Sequence, residues 1–284
     1  MSPEIIYKPS IAGRVARSIL PTLHKVLPTA LYGIAYRLAY DNYKRALFVG
    51  HAAKVVLRRP ISNERAKLRD RLVIQLLPHT MGGRKALENA FNIVADIEDK
   101  GVPGCLVECG VAEGGTAAMM GMTNRALGTV NRVKWFFDSY EGLPEPTAED
   151  YHDGRAGEFI RPLPKGSCLG TLEQVSGLLF SELRFEPEQT NLVKGWFQDT
   201  VPPRAGKLGP IAVLRLDGDW YESTKIPLDA FYDDVSPGGY VIVDDYATCY
   251  GSRKAVDEFR TEQKITTPLQ QDGRGGIYFI KPQT

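Results

Sequence analysis

Histidine and cysteine are sparse in this chain, four of each among 284 residues, and nowhere do they gather at the spacing of a zinc site. Cys105 and Cys109 fall on one predicted strand, too far apart along it to bridge. With Cys168 and Cys249 they read as reduced thiols of a cytoplasmic protein. No uncharged run approaches the ~20 residues that cross a bilayer, so no membrane span is expected. A signal peptide's succession of charged, apolar and small residues is missing as well. Charge of one sign is not in excess either: a net charge of +1 supplies no general attraction to nucleic acid. What is present, 43% hydrophobic and 24% charged residues, suits a globular chain with one large α/β domain and additions.

The first sixty residues stand apart. Basic side chains from Arg14 to Arg59 face only Glu4 and Asp41, with apolar residues such as Leu31, Ile34, Ala35 and Leu38 at helical spacing between them. Such a basic amphipathic piece suits packing against its own domain or a second subunit better than a membrane surface. The reading is a helical extension over 1–77 and a main domain over 78–284. From Pro78 onward apolar runs alternate with helical patterns. A helix through Leu87, Ala90, Phe91, Val94 and Ile97 precedes a strand at Cys105 to Gly110. A second strand is expected at Val133 to Asp138, a third near Leu192 to Phe197, and a closing one at Gly275 to Lys281. Alternation of this kind predicts a doubly wound, mostly parallel sheet covered on both faces. The exception, 142–170, is rich in Pro, Gly and charge. Its place after a strand's carboxyl end predicts a lid over the ligand cleft, with Tyr151, His152 and Arg155 in reach of a substrate.

Two further apolar runs end in pairs of aspartates. Ile211 to Leu216 ends in Asp217-Gly218-Asp219, and Gly238 to Val243 ends in Asp244-Asp245. Buried parallel strands present their carboxyl ends to ligands, and an extended backbone would point Asp217 and Asp219 the same way. Carboxylates crowded there raise one another's pKa values unless a cation neutralises them. Oxygen donors without His or Cys select a hard ion such as Mg2+. The plainer reading gives two of the four to helix caps or salt bridges; we expect at least three to share one metal. Trp220 and Tyr221 suit either a sugar-stacking role or the core. Arg253 suits an anionic acceptor group or a site carboxylate, and Asp257 and Glu258 the solvated surface.

After the first strand comes Glu108-Cys-Gly110-Val-Ala-Glu113-Gly114-Gly115. This is not the dinucleotide spacing G-x-G-x-x-G, and Glu108 and Glu113 put negative charge where a pyrophosphate would sit. A cationic ligand with a ribose for Asp138 fits better, which points to S-adenosylmethionine and away from NAD.

The ordered motifs Leu106 to Gly115, Phe137 to Pro144, Gly195 to Thr200, Leu214 to Thr224 and Val243 to Tyr246 resemble the macrocin O-methyltransferase family, over about Pro78 to Lys281. The resemblance implies a class I methyltransferase fold, Rossmann-like with a seven-stranded sheet, that uses S-adenosylmethionine and Mg2+. It implies Asp217, Asp244 and Asp245 as metal ligands and Asp219 as the base. Thr80 and Met81 would lie along the cofactor, with Glu108, Gly110, Glu113, Gly114, Gly115, Asp138, Ser139 and Asp217 around it and Gly195 to Asp199 near the adenine. The expected reaction is methylation of a sugar hydroxyl on a natural product or glycan by a cytoplasmic homo-oligomer. A non-sugar hydroxyl acceptor, or a non-catalytic cofactor-binding module, are the competing expectations.

Overall fold

The computed structural model describes residues 63–152, 159–160 and 162–283, with isolated positions between 26 and 57. The expected basic helical extension before residue 63 falls largely outside the described residues, as does Arg155. Asn63 is an N-cap: its side chain accepts from Ala66 N and opens helix α1, Glu64–Leu76. Helix α1 buries Leu72, Val73 and Leu76 in the same core as helix α2, Gly83–Lys100, whose apolar stripe carries Leu87, Ala90, Phe91, Val94 and Ile97. Gly101 ends α2 in the left-handed conformation.

Strand β1, Cys105–Cys109, is buried at every position and leads into helix α3, Gly115–Leu127. Strand β2, Lys134–Asp138, follows, then helix α4, Leu172–Ser176, which widens into a π turn over Gly177–Glu182. Strand β3, Thr190–Lys194, is shorter than expected. Gly195, at φ 142°, turns the backbone out of the sheet, and helix α5, Phe197–Thr200, begins where the expected strand was to end. Strand β4, Ile211–Leu216, and helix α6, Tyr221–Phe231, precede strand β5, Val235–Val243, and helix α7, Tyr250–Glu262. The two-residue strand β6, Gln270–Gln271, is polar and exposed and carries no hydrophobic signal; strand β7, Ile277–Ile280, closes the sheet.

The sheet has seven strands in the order β3-β2-β1-β4-β5-β7-β6. Strands β1 to β5 pair in parallel and β7 runs antiparallel to β5. Side chains alternate between two cores, except where the register shift between Ile211 and Val213 leaves the neighbours Ala212 and Val213 in one of them. Leu106, Ala212, Val213, Tyr240 and Ile242 face α1 to α4, while Val107, Leu214, Val241 and Val243 face α6 and α7. Near-continuous apolar strands follow from burial on both faces. Among the described residues no helix is long and apolar enough to cross a membrane.

Candidate active site

The chain leaves β1 in one direction and β4 in the other, so a crevice opens between their carboxyl ends. Gly110 and Asp217 stand there in contact. Asp217 N donates to Cys109 O at 2.8 Å, and Gly110 N donates to Phe137 O at 2.9 Å. A Cβ on Gly110 would lie 1.9 Å from Asp217 O, and its φ is 95°; only glycine lets the two strand ends close this far.

A cavity of about 250 Å³ occupies the crevice. Of the residues expected to hold the cofactor, Met81, Gly110, Asp138, Ser139 and Asp217 line it. Asp219, Asp244 and Asp245 line it too. Thr80, Glu113, Gly195 and Asp199 do not border it, and Gly114 and Gly115 serve as the N-cap and first residue of α3. Trp196, Phe197 and Gln198 supply the wall where Gly195 and Asp199 were expected.

Asp138 does more than face a ligand. Its Oδ2 accepts from Val111 N at 2.7 Å and Ala112 N at 3.0 Å, and its Oδ1 accepts from Tyr140 N at 2.6 Å. The carboxylate therefore ties the glycine turn after β1 to the loop after β2. Burial raises its pKa, against the opposing pull of these N–H donors.

Glu108 points inward. It is fully buried, and its Oε1 accepts from Thr116 Oγ1 and from Arg215 Nη1, the latter at 2.8 Å. Burial pushes its pKa to about 7, although Arg215 and Thr116 pull the other way. Arg215 was not singled out from sequence. It pairs in register with Glu108 across β1 and β4, and its guanidinium also donates to Asp217 Oδ2 at 2.8 Å and Asp244 Oδ1 at 2.7 Å. An arginine inside an apolar strand run was the available signal, because a side chain of that kind is buried only with partners.

The aspartates converge by a different route from the one expected. Strand β4 ends at Leu216, and Asp219 sits in the left-handed region at φ 62°. A turn through Gly218, not strand alternation, brings Asp217 and Asp219 to one cavity. One oxygen each from Asp217, Asp244 and Asp245 lie within 4.8 Å of one another, and Asp219, Asp245 and Cys249 form a second such group. Cys249 Sγ donates to Asp219 Oδ1 at 3.5 Å. Asp245 Oδ2 is shut off from solvent and has no hydrogen-bond partner. Burial, with the charge of Asp217, pushes Asp219 to about 7; burial, with Asp219 and Asp217, pushes Asp245 well up. Burial works to raise Asp244 too, yet Arg274 and Arg215 hold it below the ordinary carboxylate range. Five carboxylates thus gather around two guanidiniums. An orphaned carboxylate oxygen and surplus negative charge fit a hard divalent cation.

The insert over 142–170 is pinched at its neck, where Leu143 N donates to Ser167 O at 2.8 Å and Gly166 N to Leu143 O at 2.9 Å. Its first arm braces the Asp219 turn. Trp220 Nε1 donates to Pro144 O at 3.3 Å, and Tyr221 N donates to Asp150 Oδ1 at 2.6 Å. Leu143, Thr147, Asp150 and Cys168 form cavity wall. Tyr151 is half exposed and His152 packs on the ring of Tyr250 at 4.9 Å; neither borders the cavity. Trp220 lines it, whereas Tyr221 turns away and donates to Glu258. Arg253 meets Asp257 on its own helix at 3.7 Å, not a site carboxylate. Asp257 and Glu258, expected as solvated surface, accept tyrosine hydroxyls from Tyr246 and Tyr221. Arg274, from the turn between β6 and β7, is a further cavity residue that its sequence context did not announce.

This strand order, with an acidic, glycine-tight crevice at the switch point, defines a class I S-adenosylmethionine-dependent methyltransferase. Residues 18–281 match the Macrocin-O-methyltransferase (TylF) family, and the chain belongs to it. It is 39% identical over 201 residues to demethyldecarbamoylnovobiocin O-methyltransferase of Streptomyces niveus, covering 71% of this chain and 75% of that one. A Streptomyces olivaceus protein is 41% identical over 207 residues, covering 71% and 75%; its name is 8-demethyl-8-(2,3-dimethoxy-alpha-L-rhamnosyl)-tetracenomycin-C 4'-O-methyltransferase. The solved O-methyltransferase NovP superposes with a TM-score of 0.62 at 38% identity, covering 72% of this chain and 83% of that one.

Proposed function

We propose that this O-methyltransferase carries the methyl group of S-adenosylmethionine to a sugar hydroxyl on a natural product, with Mg2+ held by Asp217, Asp244 and Asp245 and Asp219 as the base. One observation carries this reading: the three clustered carboxylates line the same cavity as Gly110, Asp138 and Ser139, and one of their oxygens, the buried Asp245 Oδ2, has no hydrogen-bond partner. The rhamnosyl acceptor in the name of the Streptomyces olivaceus relative supports a sugar.

When bound, a divalent cation there supplies Lewis acidity that makes an acceptor hydroxyl easier to deprotonate. Asp219 stands beside the cluster without belonging to the first carboxylate triad. Its Oδ1 is engaged by Cys249, which leaves Oδ2 for the acceptor proton. A positioned base of this kind contributes about 10²–10⁴-fold. Trp220 and the Asp150 arm fix the turn that carries it, and so hold the base at the cavity wall. The insert's wall keeps water from a reaction in which charge is lost. The reading includes a cytoplasmic homo-oligomer, with the basic segment before residue 63 at a subunit contact. Light scattering of the full chain checks the oligomer.

The test is incubation of the full chain with S-adenosylmethionine, Mg2+ and rhamnosylated tetracenomycin intermediates or methyl rhamnosides, read by product mass. One added methyl on the sugar supports the reading. Methylation of catechol or polyketide hydroxyls with none on any sugar would replace it.

A further inference from the structure

Arg274 is carried on a fixed turn. Asp272 Oδ1 accepts from the backbone N–H groups of Arg274 at 2.7 Å, Gly275 at 3.1 Å and Gly276 at 2.9 Å. From this turn the guanidinium enters the cavity, where its Nη1 donates to Asp244 Oδ2. The other oxygen of the same carboxylate, Oδ1, takes Arg215 Nη2 at 2.7 Å. Asp244 therefore has a guanidinium on each oxygen, although it belongs to the three-carboxylate cluster. No arginine holds both oxygens of the other two: Asp245 Oδ2 has no partner while its Oδ1 accepts from Thr248 Oγ1 at 3.1 Å, and Asp217 meets Arg215 through Oδ2. An ion that uses all three must share or take an oxygen that an arginine holds.

The two arginines are not held alike. Arg215 lies inside the sheet at 2% exposure and bonds three carboxylates, Glu108, Asp217 and Asp244. The Arg274 side chain is 25% exposed, and Asp244 is its one carboxylate partner among the described residues. Its guanidinium lies against the cavity residue Gly82, on which a Cβ would come 3.7 Å from Cζ. Releasing Arg215 would strand three acids in the interior; releasing Arg274 strands one that the incoming ion itself compensates.

We propose that Arg274 is a resident counter-cation, and that a divalent ion binds by displacing it from Asp244. The chain's own arginine then sets its affinity for the ion. This deepens the metal reading above and rests on it. An arginine that merely oriented Asp244 for the ion would have the opposite effect on removal, because losing an outer partner of a ligand weakens binding by 10–100-fold.

The test is a Mn2+ titration of the full-length chain, with free ion read by electron paramagnetic resonance. Arg274→Met removes the charge and keeps the stem, Arg274→Lys keeps the charge, and circular dichroism confirms folding. Arg274→Met is expected to bind Mn2+ about 10-fold tighter or more, a gain of the size one competing contact commands, and Arg274→Lys to stay near wild type. If the Met variant does not fold, Arg274→Gln, which keeps a neutral donor for Asp244, is expected to tighten binding likewise. Binding by wild type with equal or weaker binding by the uncharged variants overturns the displacement alone. Mn2+ bound by none of the chains removes the metal reading, and this proposal with it.

Discussion

Gly110→Ala is the smallest change that separates the two halves of the site. The added methyl would meet Asp217 O at 1.9 Å and Asp217 C at 2.6 Å, both backbone atoms of a neighbouring strand end. Ordinary contact needs well over an ångström more, so β1 and β4 must part or the turn must change. A residue with a Cβ at φ 95° adds strain of about 1–3 kcal/mol. Overpacking adds about 1–3 kcal/mol more. Together these take a large part of the ~5–15 kcal/mol that keeps a domain folded. At roughly 2–4 °C per kcal/mol, Tm should fall on the order of 10 °C. Asp217 moves with its carbonyl, and the Asp217–Arg215 bond at 2.8 Å goes with it. Calorimetry for Tm and titration with S-adenosylhomocysteine for the cofactor pocket are the assays. A variant with wild-type Tm and wild-type affinity would refute the argument that these strand ends close only around glycine.

Asp217→Asn and Asp219→Asn separate two roles. The first is expected to lose Mn2+ binding and activity together, the second to keep ion and S-adenosylhomocysteine affinity while kcat falls ~10²–10⁴-fold; steady-state kinetics beside Mn2+ titration reads both. Lys134 tests the interior away from the site. It donates to Asn131 Oδ1 at 2.6 Å and Arg132 O at 2.7 Å, and burial lowers its pKa to about 8. The unfolded chain holds that proton to roughly pH 10.4, so it binds more protons than the native state between about 8 and 10.4, and stability from this group rises with pH across that window. Urea unfolding at several pH values should show the wild type gaining on Lys134→Met from pH 8 to 10; a constant difference contradicts it. Methyl transfer to an accepted glycoside should stop in excess EDTA and return with Mg2+, checked by product mass.

Much of the fold was legible because buried parallel strands keep most side chains apolar: β1, β4 and β5 stand out as short runs closed by Gly, Pro or Asp, with Glu108 and Arg215 as the charged exceptions. Strand β6 was invisible for the converse reason, since Gln270 and Gln271 are exposed and join the sheet by pairing with Tyr278 and Ile277. The aspartate cluster was legible as composition at strand ends, but not as geometry. The left-handed Asp219 turn depends on Trp220 and Asp150 contacts from a segment some seventy residues earlier. Glu108 reads from the sequence as an acid beside the glycine turn; its buried place in β1, in register with Arg215 on β4, instead gives it to that guanidinium. Arg274 was hidden because a two-residue strand and an aspartate-capped turn place it, and neither leaves a periodic trace.

The central claim is that one divalent cation is held by oxygens of Asp217, Asp244 and Asp245 beside the methyl donor. A crystal of the full chain grown with S-adenosylhomocysteine and Mn2+, measured for manganese anomalous scattering, tests it most directly. The account predicts a single peak about 2.1 Å from an oxygen of each of the three carboxylates, with Asp219 outside its coordination. A cofactor-loaded cavity with no peak, or with one that leaves these aspartates uncoordinated, would contradict it.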